Sequence, residues 1–333
     1  MGFGATPQDK KDFFFSLRGA NAPLFVHFNP KGTHMNTSLH QGKYIDLHTH
    51  SIYSDGSLTP RRLVDAAADA GLTAIALTDH DTVDGVLEAV DAGWRYNVEV
   101  IPGIELSTSL AGYPSIHILG YYIDINNRAL EHALRIQSQG RKAVHESYLK
   151  RLGEFGFHMT HEEVVKHCPN GQIGRVHYAR VMQEKGYADS FQQAFEDYFS
   201  TGMPIYLERE TMTPEKAIEI IHGAGGVAFL AHPYQLKLEF SELESLTIHL
   251  KSIGLNGIEA YYSEHSTIDQ ERILMLAEKL GLLVCGGSDY HADMKPHIQI
   301  GSGISDKLRV PYHLIDDIKK ARPKVKGMYQ KKI

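Results

Sequence analysis

His48 and His50 stand two residues apart, as do Asp289 and His291; between them along the chain fall Asp55, Asp79-His80, Glu105, His117 and His232-Pro233. Imidazole and carboxylate are the ligands that borderline divalent ions such as Zn²⁺, Mn²⁺ and Fe²⁺ accept. The set His48, His50, Asp55, His80, Glu105, His117, His232, Asp289 and His291 holds more donors than one tetrahedral or octahedral ion needs, so it points to two or three ions. Cys168 and Cys285 are the only cysteines, which excludes a thiolate zinc finger and a disulfide framework. Taken singly, a histidine at a strand end is more often a hydrogen-bonded structural residue, and HxH alone decides little. The weight lies in where the whole set falls.

Strand and helix signals alternate from Lys43 onward. Tyr44-Ile45-Asp46-Leu47-His48 reads as a strand, and Thr59-Pro60 then opens a helix that runs to Gly71, with Thr as cap and Pro at the first helical position. A buried strand over 73–78, a helix over 82–93 and strands over 98–106 and 115–123 follow. Residues 127–212 carry almost no strand signal and read as a helical insertion. Thr213-Pro214 restarts the alternation: strand 227–231, helix 241–253, strand 257–262, helix 267–280, strand 282–285. Strands alternating with helices of this length predict βαβ units, a parallel sheet, and about seven strands that can close into a barrel. The expected organisation is an N-terminal extension over 1–42, a barrel over 43–126 and 213–333, and the insertion over 127–212, contributing to substrate binding. The candidate ligands then sit in or just beyond strands, mostly at carboxyl ends, where barrel enzymes keep their sites. Other histidines, among them His132, His145, His167, His222 and His249, scatter over helices.

Composition narrows the function class. The chain has 333 residues, 42% hydrophobic and 22% charged, which is ordinary for a globular protein. A formal net charge of −6 gives no sign of a nucleic-acid coat or a membrane-surface protein. No apolar run approaches the roughly 20 residues of a membrane span. The N-terminus lacks the basic-then-apolar pattern of a signal peptide, so a cytoplasmic location is expected. No Gly-rich phosphate loop is present. Tyr261, Tyr262 and Tyr290 offer faces for a base, although strand aromatics more often pack.

Six pieces in order resemble the PHP family, named for its polymerase-associated and histidinol phosphatase members. They are Asp46-Leu47-His48-Thr49-His50-Ser51, Ser54-Asp55-Gly56, Thr78-Asp79-His80-Asp81, Gly103-Ile104-Glu105 with His117 following, Ala231-His232-Pro233, and Gly286-Gly287-Ser288-Asp289-Tyr290-His291. The resemblance covers residues 44–291 and implies a distorted, TIM-like (β/α)7 barrel with a two- or three-metal centre. By position it implies one ion at His48, His50, Glu105 and Asp289, a second at Glu105, His117 and His232, and a third at Asp55, His80 and His291. Some members carry His where this chain has Asp55; the carboxylate favours a harder ion, so Mn²⁺ stands beside Zn²⁺, with Fe²⁺ compatible. Gly174-Arg175-Val176-His177-Tyr178-Ala179-Arg180 looks like the phosphate-contacting signature of members acting on nucleotides, the nucleoside 3′,5′-bisphosphate phosphatases and related 5′-to-3′ exoribonucleases. Arg175 and His177 are the expected phosphate contacts, since a guanidinium fork pairs two phosphate oxygens at once.

The expected activity is hydrolysis of nucleotide phosphate esters by a hydroxide bridging two ions. Glu105 is the expected bridging carboxylate. Asp46 and Asp79 suit outer positions that orient ligand imidazoles by accepting their other N–H. Asp289, His232 and a water are candidates for protonating the leaving group. A nucleotide or short oligonucleotide is the expected partner, with no membrane and no protein partner evident. Alternatives are a small-molecule phosphatase such as a histidinol phosphatase, and a non-catalytic PHP module.

Overall fold

The computed structural model describes residues 42–169 and 172–323. The extension read over residues 1–42 lies outside the described residues apart from Gly42. The barrel begins with β1 (Tyr44–Thr49), α1 (Pro60–Asp69), β2 (Ala74–Leu77), α2 (Val86–Tyr96), β3 (Glu99–Thr108) and β4 (Ile116–Tyr121). A helical stretch follows: α3 (Arg128–Glu154), α4 (His161–Val165), α5 (Arg175–Glu184) and α6 (Phe191–Ala194), which passes into a π-helical turn at Phe195–Phe199. The barrel resumes with α7 (Pro214–Gly223), β5 (Val227–Leu230), α8 (Phe240–Ser252), β6 (Gly257–Tyr262), α9 (Thr267–Leu280) and β7 (Leu283–Gly287). The short strands β8 (Ile298–Gln299), β9 (Gly303–Ile304) and β10 (Val310–Pro311) and the helix α10 (His313–Ala321) complete it.

The two cap-and-proline signals work as read. The Thr59 hydroxyl accepts from Arg62 N–H at 3.3 Å and the Thr213 hydroxyl from Lys216 N–H at 3.3 Å, each satisfying an orphan donor of the first turn. The helical insertion opens with one helix of 27 residues, α3. Asn127 starts it by accepting from Ala129 and Leu130 N–H. After His291 the sequence pattern gives no elements. Two-residue strands carry no period to detect, so β8 to β10 and α10 appear only in the fold.

The sheet runs β10-β1-β2-β3-β4-β5-β6-β7. It closes on itself: Asp289 N–H donates to His48 O and His50 N–H to Tyr290 O, each at 2.9 Å, which joins the end of β7 to the end of β1. At the other end of that seam β10 pairs antiparallel with Tyr44 and Ile45. Ile45, Leu47, Ala74, Ile101, Leu119 and Phe229 cluster with Leu314, Ile315 and Ile318, so α10 packs under the amino ends of the strands. The fold is thus the expected distorted barrel.

One expectation fails within it. The alternation predicts parallel neighbours throughout, yet β4 is antiparallel to both β3 and β5. Only residues 109–115 separate β3 from β4, and a parallel crossover needs a dozen or more. The reversal matters for chemistry, because the amino end of β4, where His117 lies, meets the same rim as the carboxyl end of β3.

Bulges interrupt the registers of β1 with β2 between Asp46 and Thr49, and of β6 with β7 between Glu259 and Tyr261. Such bulges re-aim side chains next to active sites. Among the described residues no helix is long and apolar enough to cross a membrane.

The seam sets a strict size limit at Gly287. A β-carbon there would lie 2.3 Å from His48 N, a backbone atom that cannot move without opening the barrel. Gly287→Ala is expected to lose about 2–3 kcal/mol of stability in urea unfolding. A midpoint equal to the parent's would show that β7 does not press on β1 as described.

Candidate metal centre

Each strand end delivers its residue for a local reason. His48 sits in the β1 bulge and His50 just past it; Asp55 comes from the following loop. His80 follows β2, Glu105 lies within β3, His117 opens β4, and His232 follows β5. Asp289 and His291 follow β7. Glu105 is wholly buried and central. Its Oε2 lies 3.2 Å from His48 Nε2, 3.3 Å from His50 Nε2 and 3.2 Å from His80 Nδ1. Its Oε1 lies 2.8 Å from both His117 Nδ1 and His232 Nε2. Asp289 Oδ1 faces His50 Nε2 at 3.3 Å and His48 Nε2 at 3.6 Å. Asp55 Oδ1 stands 3.2 Å from His291 Nε2, and its Oδ2 3.7 Å from His80 Nε2. All nine donors named from the sequence therefore meet at one rim, in four overlapping groups whose donor atoms lie within 4.8 Å of one another.

A model of the PHP domain matches residues 46–212. A 3′,5′-nucleoside bisphosphate phosphatase from Chromobacterium violaceum is 34% identical over 256 residues, 74% of this chain and 87% of that protein. The chain belongs to the PHP family. The 5′-3′ exoribonuclease Rnm of Escherichia coli is 32% identical over 258 residues, 77% of this chain and 87% of that protein. A solved structure from Bifidobacterium adolescentis, described as a metal-dependent phosphoesterase, superposes with a TM-score of 0.75 at 27% identity, over 86% of this chain and 99% of its own.

Electrostatics bear on whether cations fit this PHP rim. Burial opposes ionisation of Glu105, yet the His80, His48 and His117 imidazoles hold its carboxyl well below the usual range. Asp289 is held low in the same way against burial, chiefly by Lys295, whose Nζ lies 2.7 Å from Oδ2. Burial pushes the imidazoles down, but the carboxylates outweigh it at His50, lifted to about 9. At His80 burial prevails, and its imidazole falls to about 3. Packed this tightly, the carboxylates draw protons onto the His48 and His50 rings, which burial alone would keep neutral. Divalent cations replace such protons. Moreover, His50 Nε2, His80 Nδ1, His232 Nδ1 and Asp55 Oδ1 are buried without a hydrogen-bond partner among the described residues, a condition native interiors rarely tolerate. The donor chemistry and the orphaned atoms both fit a cluster of divalent ions.

Asp46 and Asp79 do not take up the positions expected of them. Asp46 accepts from the backbone N–H groups of His48, Ser288 and Gly301, at 3.2, 2.8 and 2.8 Å, and from the Ser288 hydroxyl. Asp79 accepts from Ser51 N–H, Ser51 hydroxyl and Ser54 hydroxyl, each at 2.7 Å. Neither reaches a ligand imidazole directly. Short side chains flanking a bulge and a tight loop find unpaired backbone donors nearer than ring nitrogens. The imidazole acceptor is Glu259, in β6, with Oε1 3.1 Å from His48 Nδ1. Its signal was a charged residue inside the otherwise apolar and aromatic run Gly257–Tyr262. Tyr262 donates to Asp289 Oδ2 at 3.1 Å and is buried, so it braces a carboxylate and its ring is covered.

The helical segment leans on the rim. Gln172 N–H donates to Tyr53 O at 3.2 Å and Cys168 Sγ to Ser54 O at 3.5 Å, both beside Asp55. His177 is buried, its Nδ1 accepts from Gly174 N–H at 2.9 Å, and its Nε2 has no hydrogen-bond partner among the described residues. Burial pushes its imidazole down to about 4, while Asp55 pulls the other way. Arg175 is turned into the segment. It donates to Phe199 O at 3.0 Å and lies over the rings of Phe195 and Tyr206. The guanidinium groups that reach the barrel are Arg141 and Arg209, which meet Asp81 Oδ2 at 2.5 and 3.2 Å. Asp81 follows His80 directly, in left-handed backbone with φ 54°. Against burial, the two arginines hold its carboxyl well below the usual range.

Removing that carboxylate leaves two half-buried guanidinium groups facing each other. Asp81→Asn is expected to cost about 3 kcal/mol or more in urea unfolding. A loss under about 0.5 kcal/mol would mean the ion pairs do not tie the segment to the barrel.

Proposed function

We propose that this chain is a metal-dependent phosphoesterase that hydrolyses nucleotide phosphate esters, at 3′,5′-bisphosphates or the 5′ ends of short RNA. One observation carries the reading: the two oxygens of a single buried carboxylate, Glu105, face two different sets of imidazoles. That is the arrangement of a bridging ligand. His48, His50, Glu105 and Asp289 would hold one ion, Glu105, His117 and His232 a second, and Asp55, His80 and His291 a third. Mn²⁺ and Zn²⁺ suit this mixture of nitrogen and oxygen donors. When bound, such ions lower the pKa of water toward neutrality and offset charge on the phosphoryl oxygens.

The chain's own groups account for the rest. Arg141 and Arg209 together bring two positive charges to Asp81 and leave one uncompensated, next to His80. A guanidinium so placed pairs phosphate oxygens and fixes the ester against the rim. His177 Nε2, unpartnered and near Asp55, is a second polar contact for the substrate. Arg175 contributes by holding the segment, through Phe199 O and its two rings, more than by direct contact. Asp289 is a poor proton source, since Lys295 and the imidazoles favour its ionised form; its role is to accept. The nucleotide preference draws on the phosphatase and exoribonuclease relatives, and the two substrate classes share the chemistry described here.

Phosphate release from a nucleoside 3′,5′-bisphosphate, a 5′-phosphorylated oligoribonucleotide and histidinol phosphate, run side by side with Mn²⁺ or Zn²⁺, tests the substrate class. Turnover of the nucleotide substrates is expected. Turnover of histidinol phosphate alone would overturn the assignment, and turnover of none would favour a non-catalytic PHP module. Glu105→Gln should lower kcat/KM by more than about 100-fold and reduce bound metal per chain, because even groups behind the ligands typically matter 10- to 100-fold. Arg141→Met should raise KM about 10-fold with a smaller change in kcat, as expected for a group that binds phosphate before and during reaction.

A further inference from the structure

Glu259 lies outside the nine donors, yet it touches two of the residues that carry them. It is fully buried, and among the described residues its only ion-pair partner is His48. Its Oε1 and Oε2 lie 3.1 and 3.3 Å from His48 Nδ1, and Oε2 accepts from the backbone N–H of His232 at 2.7 Å. An ionised carboxylate only accepts, so each contact requires hydrogen on the partner. His48 must then carry its proton on Nδ1. Its Nε2, on the far side of the ring, faces Glu105 Oε2 and Asp289 Oδ1, where its lone pair would serve an ion held among the three.

The second contact acts on backbone. His232 has φ 24° and ψ 62°, a conformation that its β-carbon disfavours. It is held from both sides: its N–H goes to Glu259, and its C=O accepts from Gln235 N–H at 2.9 Å. In that conformation His232 Nε2 reaches Glu105 Oε1 at 2.8 Å. The two histidines tied to Glu259 thus approach opposite oxygens of the same bridging carboxylate. The β6 bulge, between Glu259 and Tyr261, lies at this position.

We infer that Glu259 is a positioning residue that fixes the Nδ1–H tautomer of His48 and the backbone of His232, so that two neighbouring ion positions are aligned by one side chain. The inference rests on the metal-centre reading above. Gln in its place keeps the shape but not the chemistry. Whichever way the amide sits, its NH2 faces either His48 Nδ1–H or the His232 N–H, donor against donor.

The test uses zinc-loaded full-length chain labelled with ¹⁵N-histidine, with the His48 ring signals assigned through His48→Asn, and zinc affinity from competition with a chelator. The parent should show a hydrogen-bonded Nδ1–H on His48. Glu259→Gln should lose that signal and bind zinc about 10- to 100-fold more weakly. Glu259→Asp keeps the acceptor and should retain the signal, with an affinity between the two. A Glu259→Gln chain with the parent's ring signal and affinity would overturn the inference. If that variant does not fold, Glu259→Asp decides: affinity equal to the parent's would overturn it. A parent chain that takes up no zinc or manganese would instead defeat the metal-centre reading itself.

Discussion

A carboxylate cannot be left ionised in a protein interior unless positive charge or hydrogen-bond donors surround it. Glu105 is wholly buried, and the rim is built around meeting that demand. Five imidazoles reach its two oxygens from the ends of four strands. Bringing them there requires backbone that an ordinary strand does not adopt. His232, Asp289 and Asp81 all have positive φ without being glycine, and each is a candidate ligand or adjoins one. Strain of this kind costs on the order of 1–3 kcal/mol per residue and persists only where the surroundings impose it. Its presence at these three rim positions is what a site assembled for chemistry, at some expense in stability, should show.

The floor of the site was legible in the sequence because its placement is local. HxH and DxH set two side chains on one face of an extended segment, and a carboxyl strand end is a place that periodicity can locate. His117 belongs to the same floor by a route the pattern does not reveal. It opens a strand, and it joins the others only because the short connection after β3 reverses β4. The residue type was informative where the direction of the strand was not. Barrel closure was legible in outline, whereas β10 and α10, which finish the seam and cover the opposite end, were too short or too late in the chain to register.

The supporting groups were less legible because their roles depend on distances between segments far apart in sequence. Asp46 and Asp79 stand beside ligands in the chain, but proximity in sequence gave them the wrong partners; they brace backbone. Glu259 stands 211 residues from His48 and meets its ring. Arg175 lies in a recognisable motif and points into its own segment. Arg141, on the unremarkable face of a long helix, reaches the barrel instead. Sequence spacing reports what one element presents, and these contacts are made between elements.

That difference also explains why the site has two electrostatic halves. The barrel rim is rich in buried carboxylate and has the donors that could hold cations. The helical segment brings Arg141 and Arg209 to a single carboxylate, Asp81, so positive charge exceeds negative along that wall. Neither half is neutral by itself. Metal ions on the rim would turn its surplus of negative charge into Lewis acidity, and an anion between ions and arginines would then satisfy both halves at once. A phosphate ester has the charge, and the oxygens on more than one side, that this gap requires. A neutral amide or ester would leave the guanidinium wall unpaired, which makes the arginines, as much as the imidazoles, the reason to read this barrel as acting on phosphate.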